Sequence, residues 1–180
     1  AKKLLTPVRT GVSNFFANLG DLWSFVNNVL QARGRAAADS LARFGINTFI
    51  GMGGLFDVAS EAGIERHRQD FGPTLAHWGM SSGPYLVLPL LGPSTLRDTA
   101  TLPVDTWGDL ASHAQPVATR NGLYVLRFVD RRASLLGATA IRDAAALDPY
   151  TFTRDLYLDL RKQRAGQRDA GDDGKLPEED

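Results

Sequence analysis

Few side chains in this sequence could carry out chemistry, and most of them are charges beside apolar runs: Asp57, Asp70, Arg97 and Asp98. Such charges are more often helix caps or partners in buried ion pairs than catalysts. Ser81 and Ser82 do not lie within the G-x-S-x-G motif that exposes a nucleophilic serine. We therefore expect no catalytic residue and no enzyme.

Metal and cofactor chemistry finds equally little support. The chain has no cysteine, which excludes disulfides and thiolate ligands. Three histidines are present, but no pair has the short helical spacing of a zinc site: His67, His77 and His113. We expect neither a metal site nor a cofactor site.

The segment "GMGGLFDVA", residues 51–59, has three glycines within four residues. It lacks the Lys-Ser/Thr of a phosphate-binding loop, and it follows a predicted helix, whereas a dinucleotide fingerprint follows a strand. The pattern is typical of a helix end and a tight turn, where glycine adopts left-handed backbone angles.

A stripe of small and polar residues precedes and enters this turn. Arg43, Asn47, Gly51 and Gly54 are separated by four, four and three residues, so a helix would align them. The stripe could allow close helix packing or could line a polar path. We favour packing over the path.

Helical periodicity dominates the chain and predicts an all-α protein. Apolar residues from Val12 to Leu30 suggest two helices, with Gly20-Asp21 as the break and Asp21 as the second N-cap. Residues 35–51 are predicted as the next helix. Gly-Pro pairs between Gly72 and Pro93 predict short helices and extended turns.

Two further helices are predicted in the C-terminal part. Residues 121–145 form an amphipathic pattern, with Leu126, Val129, Ala133 and Leu136 as the apolar stripe and with Arg127, Asp130, Arg131 and Ser134 as the polar one. Asp148 and Pro149 predict the start of a final helix, and Asp70 predicts a cap before "FGPTLAHW". We expect one helical domain over residues 1–165 and a flexible polar tail over 166–180.

Composition limits the class of protein. The 180 residues are 43% hydrophobic and carry a formal net charge of zero, which does not suit a nucleic-acid-binding protein. No window has about 18 consecutive apolar residues, the length that a spanning helix needs. From the residues alone, two classes remain open: a soluble helical domain with an apolar pocket, or amphipathic helices lying in a bilayer interface.

Two long segments resemble the MlaA family, also called VacJ. They are "NNVLQARGRAAADSLARFGINTFIGMGGLFDVASEAGI" and "DFGPTLAHWGMSSGPYLVLPLLGPSTLRDTATLPVD", and "RTGVSNFFANL" upstream also fits. The resemblance runs from about Arg9 to Asp105 and continues more weakly through Leu160. It implies a ring of amphipathic helices with Gly/Pro-rich turns around an amphipathic channel.

The resemblance also implies a function. Family members are outer-membrane lipoproteins of Gram-negative bacteria that remove mislocalised phospholipid from the outer leaflet. They pass it to a periplasmic carrier, MlaC, and associate with trimeric porins. The family's lipid-bearing N-terminal cysteine is absent from this sequence, which we interpret as a truncated mature fragment on the periplasmic side of the outer membrane. The alternatives are a soluble helical binder of apolar ligands and a structural porin accessory.

The glycine turn resembles the family's ring-forming bend. The residues expected at the bend or along the lipid path are Arg43, Asn47, Gly51, Gly53, Gly54, Asp57, Gly83, Pro84, Tyr85, Arg97 and Asp98. Arg97 could contact a lipid phosphate, or it could brace the ring by pairing with Asp57, Asp70 or Asp98. We favour bracing, because charges in poorly hydrated places usually need a permanent partner.

Overall fold

The computed structural model describes residues 2–89, 91–145 and 148–166. Helices make up most of these residues, which confirms the predicted class, and a small two-stranded sheet accompanies them. In chain order the elements are α1 (Lys2–Leu30), α2 (Gly34–Phe49), α3 (Val58–Glu61), α4 (Phe71–His77), β1 (Tyr85–Leu88), β2 (Gly92–Thr95), α5 (Leu96–Gly108), a 3₁₀ turn (Leu110–His113), α6 (Val117–Ala145) and α7 (Pro149–Ala165).

The first helix differs from the expectation. α1 runs without a break through Gly20 and Asp21, so the predicted interruption and the N-cap role of Asp21 are wrong. The Asp21 side chain is 2% exposed and forms ion pairs with Arg43 and Arg66. A glycine costs an interior helix only about 0.5–1 kcal/mol, and a buried ion-pair cluster can offset that cost.

Side-chain caps define several helix starts. Asp70 accepts a hydrogen bond from Gly72 N at 3.2 Å, and Asp148 accepts one from Tyr150 N at 3.0 Å, as the sequence predicts. Asp57 and Thr95 cap α3 and α5 in the same way. Gly166 ends α7 with a left-handed φ of 75°, the usual conformation for glycine after a helix.

The Gly-Pro segment forms a hairpin where extended turns were expected. β1 and β2 pair antiparallel, with Tyr85 opposite Thr95 and Leu88 opposite Gly92. Tyr85 also makes edge-to-face contacts with Tyr150 and Tyr157 of α7. The hairpin is therefore attached to the last helix.

Three side chains of α6 are placed opposite to the expectation, whereas Arg131 is exposed as the polar stripe predicts. Leu126 and Val129, assigned to the apolar stripe, are 42% and 56% exposed. Arg127, assigned to the polar stripe, lies half-buried, pairs with Asp109 and stacks 4.8 Å from the Phe16 ring centroid. Leu136 lies outside the side chains that the structure describes.

The same reversal holds for most of the molecule. Five of the six buried hydrophobic residues among those described are alanines, and Phe16 is the sixth. Sixteen buried residues in the same part of the chain are polar or charged, whereas 27 large hydrophobic residues are exposed. Within residues 2–89, 91–145 and 148–166, no helix combines the length and apolarity needed to cross a bilayer. The interior is polar, and the apolar surface faces outward.

Candidate functional site

One face of α1 supplies much of the polar interior. Its residues recur at spacings of three and four, as one face of a helix requires, and each is at most 3% exposed: Asn18, Asp21, Ser24, Asn28 and Gln31. Several bond to other elements, for example Ser24 to the backbone of Gln69 and Gln31 to Thr74. Polar side chains on this face therefore hold α1 against its neighbours.

Two arginines and two aspartates form a closed cluster between α1, α2 and α3. Arg43 Nη2 lies 2.6 Å from Asp57 Oδ1, and Arg43 Nε lies 3.4 Å from Asp21 Oδ2. Arg66 completes the cluster at 3.3 Å from Asp21 and 3.4 Å from Asp57. The four formal charges cancel, so the cluster, which we call the Arg43 cluster, carries no net charge.

The carboxylates of this cluster respond differently to their surroundings. Burial raises the pKa of Asp21, although the charges of Arg66 and Arg43 oppose that change. Burial would also raise the pKa of Asp57, but hydrogen bonds from Ser60 and Asn47, with the nearby arginines, bring it below the usual range. The folded state therefore favours the ionised form of Asp57.

Asn47 joins the Arg43 cluster to the glycine turn. Its Nδ2 donates to Asp57 Oδ1 at 3.0 Å, and its Oδ1 accepts a hydrogen bond from Ala59 N at 2.9 Å. Its carbonyl accepts from Gly54 N at 2.8 Å. The Arg43 side chain therefore links α2 to α1 and to the start of α3, and the Asn47 side chain links α2 to α3.

The glycine turn forms a sharp bend after α2. We call residues 50–56 the bend; Met52, Gly53 and Gly54 have φ angles of 53°, 71° and 92°. A Cβ on Gly51 would lie 2.3 Å from the carbonyl oxygen of Phe56. Left-handed angles explain why glycine occupies positions 53 and 54, and close backbone approach explains Gly51.

A second cluster joins α5 to α4 and α7. Asp98 lies 3.2 Å from Arg97 Nε, 3.0 Å from Arg161 Nε and 2.8 Å from the Tyr157 hydroxyl, which donates to it. Arg161 also pairs with Asp70. We call Asp98, Arg97, Arg161, Tyr157 and Asp70 the Asp98 cluster.

Arg97 pairs with one of the three aspartates considered from the sequence. Its partner is Asp98, whereas Asp57 belongs to the Arg43 cluster and Asp70 pairs with Arg161. Arg97 is 7% exposed and also donates to the Met80 carbonyl at 3.1 Å. These contacts connect α5 to the segment after α4.

A cavity of about 380 Å³ lies beside the Asp98 cluster. Basic and hydroxyl side chains contribute to its lining: Ser81, Ser82, Thr95, Arg97, Arg161 and Lys162. No acidic residue contributes to the lining that the structure describes. Arginine, lysine and hydroxyl donors of this kind suit a phosphate group.

The predicted site residues with charged or amide side chains fall into two groups. Arg43, Asn47 and Asp57 belong to the Arg43 cluster beside the bend, and Arg97 and Asp98 belong to the Asp98 cluster. Gly83 has a φ of 67°, and the Pro84 carbonyl accepts from Leu96 N at 3.1 Å, which extends the hairpin toward α5.

Sequence reasoning missed several members of both clusters: Asp21, Arg66, Tyr157 and Arg161. The polar spacing along α1 could have identified Asp21, because Asn18, Asp21, Ser24 and Asn28 follow a helical period. No comparable pattern marks Arg161, whose partners Asp70 and Asp98 are 91 and 63 residues away in the chain.

Known proteins resemble the chain over most of its length. The family model described as MlaA lipoprotein matches residues 2–164. The intermembrane phospholipid transport system lipoprotein MlaA of Escherichia coli strain K12 is 36% identical over 161 residues, which cover 84% of this chain and 61% of that protein. The protein of the same name from Haemophilus influenzae is 32% identical over 182 residues, covering 96% and 67%. These names describe a transport-system lipoprotein and not an enzyme.

Two other comparisons agree. An uncharacterized protein of Rickettsia bellii is 45% identical over 170 residues, covering 86% of this chain and 61% of its own. A solved structure described as the structural basis for maintenance of bacterial outer membrane lipid asymmetry superposes with a TM-score of 0.75 at 34% identity, covering 89% of this chain and 81% of its own.

The chain spans about three fifths of the length of the E. coli relative. The family model nevertheless extends from the first described residue of α1 almost to the end of α7. From this coverage, and from relatives above 30% identity that match more than four fifths of the sequence, the chain belongs to the MlaA lipoprotein family.

Proposed function

We propose that this chain is part of an outer-membrane component of intermembrane phospholipid transport. In this role it removes mislocalised phospholipid from the outer leaflet and passes it to a periplasmic carrier, which maintains lipid asymmetry. The names of the E. coli and H. influenzae relatives and the description of the solved structure support this proposal. The mechanism below is argued from the residues of this chain.

The observation that carries the proposal is the reversed distribution of polarity. A protein surrounded by water buries most of its large apolar side chains, whereas 27 large hydrophobic residues are exposed and sixteen polar or charged residues are buried among the described residues of this chain. Around the bend, Phe49 is 88% exposed, Met52 69% and Phe56 58%. Exposed large apolar side chains grouped in one segment are typical of a membrane or partner interface. We propose that the helices lie within one leaflet, with this surface against acyl chains.

The polar interior then has a function in transport. A phospholipid headgroup cannot cross hydrocarbon cheaply, because burying unpaired charge is costly. A path with polar walls inside a ring that is apolar outside would lower that barrier without a chemical step. We propose that the Arg43 and Asp98 clusters brace the ring. The cavity beside Arg97 is proposed to receive the lipid phosphate, with Lys162 and the Ser81 hydroxyl among its donors.

The partners in this proposal are phospholipid, a trimeric outer-membrane porin and the periplasmic carrier MlaC. The sequence contains no phosphate-binding loop for ATP, so we assign the driving force to the lipid gradient or to partners. The full-length protein is proposed to be held at the periplasmic side of the outer membrane by an N-terminal lipid.

Membrane embedding is tested by adding charge to the apolar surface. Phe49→Asp combined with Phe56→Asp should move the protein out of the detergent-rich phase in phase partitioning, because neither side chain is buried. Thr10→Asp combined with Ser13→Asp places the same two charges at exposed polar positions of α1, and it should leave partitioning unchanged. A wild-type protein that stays monodisperse in plain buffer would indicate the soluble binder instead.

Transport is tested in a Gram-negative host that lacks its own relative, with this chain supplied inside a full-length lipoprotein. Outer-leaflet phospholipid should fall to the normal level, and phospholipid should co-purify with the protein and be identified by mass spectrometry. Normal porin association without lipid co-purification and without restored asymmetry would indicate a structural accessory and contradict the proposal.

A further inference from the structure

A second polar cavity lies at the end of the α1–α2 hairpin. It measures about 580 Å³ and is bounded by the C-terminal part of α1, the start of α2, residues 65–69 and the last turns of α7. Four arginines contribute to its lining: Arg33, Arg66, Arg68 and Arg164. We call it the arginine cleft. It shares no lining residue with the cavity beside Arg97.

The positive charge of the arginine cleft is only partly neutralised. Arg66 is paired within the Arg43 cluster, and Arg164 Nη1 lies 3.8 Å from Asp70. Arg33, in contrast, donates to the neutral carbonyl of Arg164 at 2.9 Å.

Arg68 is the second arginine without a neutralising partner. Among the residues that the structure describes, its guanidinium has neither a hydrogen bond nor an ion pair. Glu65 is the one acidic residue in the described lining, and both Glu65 and Arg68 are exposed. Among the described residues, neither Arg33 nor Arg68 forms an ion pair with a carboxylate.

The surroundings of Arg68 indicate a positive local potential. Partial removal from water and the charge of Arg66 lower the pKa of Arg68, and the charges of Arg164 and Arg43 act in the same direction. Asp21 opposes them without reversing the result. An anion entering the cleft would relieve this repulsion between arginines.

Asn28 is fully buried beside the cleft, and its Nδ2 donates to Ser40 Oγ and the His67 carbonyl, each at 3.3 Å. Its Oδ1 has no hydrogen-bond partner among the described residues, but the atom is shielded from solvent. The anion site therefore rests on the arginines alone.

We propose that the arginine cleft binds a phosphate-bearing anion through Arg33 and Arg68. Guanidinium groups bind phosphate by paired, charge-assisted hydrogen bonds. The cleft is large enough for a lipid headgroup or for a free phosphate compound, and the chemistry shared by both is the phosphate group. This inference goes beyond the proposed transport function and does not require it, because it concerns binding to the isolated protein.

Calorimetric titration of the purified full chain in detergent at low ionic strength tests the site. The probes are inorganic phosphate and glycerophosphoglycerol, the water-soluble headgroup of phosphatidylglycerol. At least one probe should bind with a stoichiometry of one. Arg68→Gln should weaken that binding roughly tenfold or more, since a hydrogen bond to a charged group is worth about that factor.

Two further variants make the test specific. Arg33→Gln combined with Arg68→Gln should abolish saturable binding. Arg35→Gln removes an exposed arginine that neighbours Arg33 in sequence but does not contribute to the described lining, and it should bind as the wild type does. Tighter binding of the diester would identify a lipid headgroup as the ligand, and tighter binding of inorganic phosphate a free phosphate compound.

The inference is overturned if neither probe binds the wild-type protein. It is also overturned if Arg68→Gln, which breaks no hydrogen bond or ion pair to a described residue, binds the probes as tightly as the wild type. If the wild-type chain binds a probe but does not restore lipid asymmetry in cells, the proposed function is contradicted and the anion site is still supported.

Discussion

Single glycine-to-alanine changes in the bend should separate backbone strain from close packing. Gly54 has a φ of 92°, and a Cβ there would lie 2.7 Å from Asn18 Nδ2 and 2.8 Å from Asn18 Cβ. Asn18 is 1% exposed and donates to Thr48 Oγ1 at 2.9 Å. Gly53 has a φ of 71° and open space around the same position. Gly54→Ala therefore meets two penalties, and Gly53→Ala meets one.

The expected magnitudes follow from these contacts. A left-handed backbone costs an L-residue about 1–2 kcal/mol, which is the whole cost expected for Gly53→Ala. Displacing Asn18 disrupts a buried hydrogen bond and adds about 1–3 kcal/mol. Gly54→Ala should therefore destabilise the fold by about 2–5 kcal/mol.

Thermal unfolding of the detergent-solubilised protein, followed by circular dichroism, is the assay. A domain of this size loses about 2–4 °C in Tm per kcal/mol, so we expect a fall of roughly 2–8 °C for Gly53→Ala and about twice that or more for Gly54→Ala. Gly45, within α2, has open space around its Cβ position, and Gly45→Ala should raise Tm slightly. Equal losses at Gly53 and Gly54 would refute the argument from Asn18 packing.

Three further predictions concern the charged clusters. Arg43→Met should destabilise the fold by about 3–5 kcal/mol in chemical denaturation, because it leaves Asp21 buried with one arginine fewer. Arg97→Met should cost less, since Asp98 keeps a second arginine, but lipid transport should fall further than protein abundance does. Asp57 should contribute a decline in stability as pH falls below about 4, because folding lowers its pKa and the unfolded state then binds protons more readily. The raised pKa of Asp21 acts in the opposite direction. Asp57→Asn isolates the Asp57 contribution and should flatten the decline.

Each of these predictions has a contradicting outcome. A loss below about 1 kcal/mol for Arg43→Met would show that the Arg43 cluster does not support the fold. Unchanged transport at normal abundance for Arg97→Met would exclude a headgroup contact there. An identical pH profile of unfolding for wild type and Asp57→Asn would exclude Asp57 as a source of acid sensitivity.

Local signals in the sequence predicted much of the fold. Asp70, Asp148 and Pro149 mark helix starts because capping depends on residues only two or three positions apart. The glycines of the bend predicted a tight turn because left-handed backbone angles strongly favour glycine. Helix caps and left-handed turns are determined by residues close in the sequence, so they do not depend on whether water or lipid surrounds the protein.

The errors have different physical causes. Leu126 and Val129 were assigned to one stripe and Arg127 to the other on the usual premise that apolar faces turn inward. Here Arg127 turns inward toward Asp109. Asp21 was taken for a cap because Gly20-Asp21 interrupts the apolar periodicity and aspartate is a common N-cap residue. The pairing of Arg161 with Asp70 and Asp98 depends on tertiary contacts that no local pattern encodes.

The reversed polarity of the fold bears on how the chain reaches its final state. Hydrophobic collapse in water favours burying apolar side chains, yet 27 large ones are exposed among the described residues of the finished fold. Under the proposed embedding, acyl chains would supply the contacts that an apolar core supplies elsewhere, so folding would be coupled to insertion. A chain still in an aqueous compartment would expose aggregation-prone surface. These side chains would then have to be covered, by a partner or by detergent, until lipid replaces that cover.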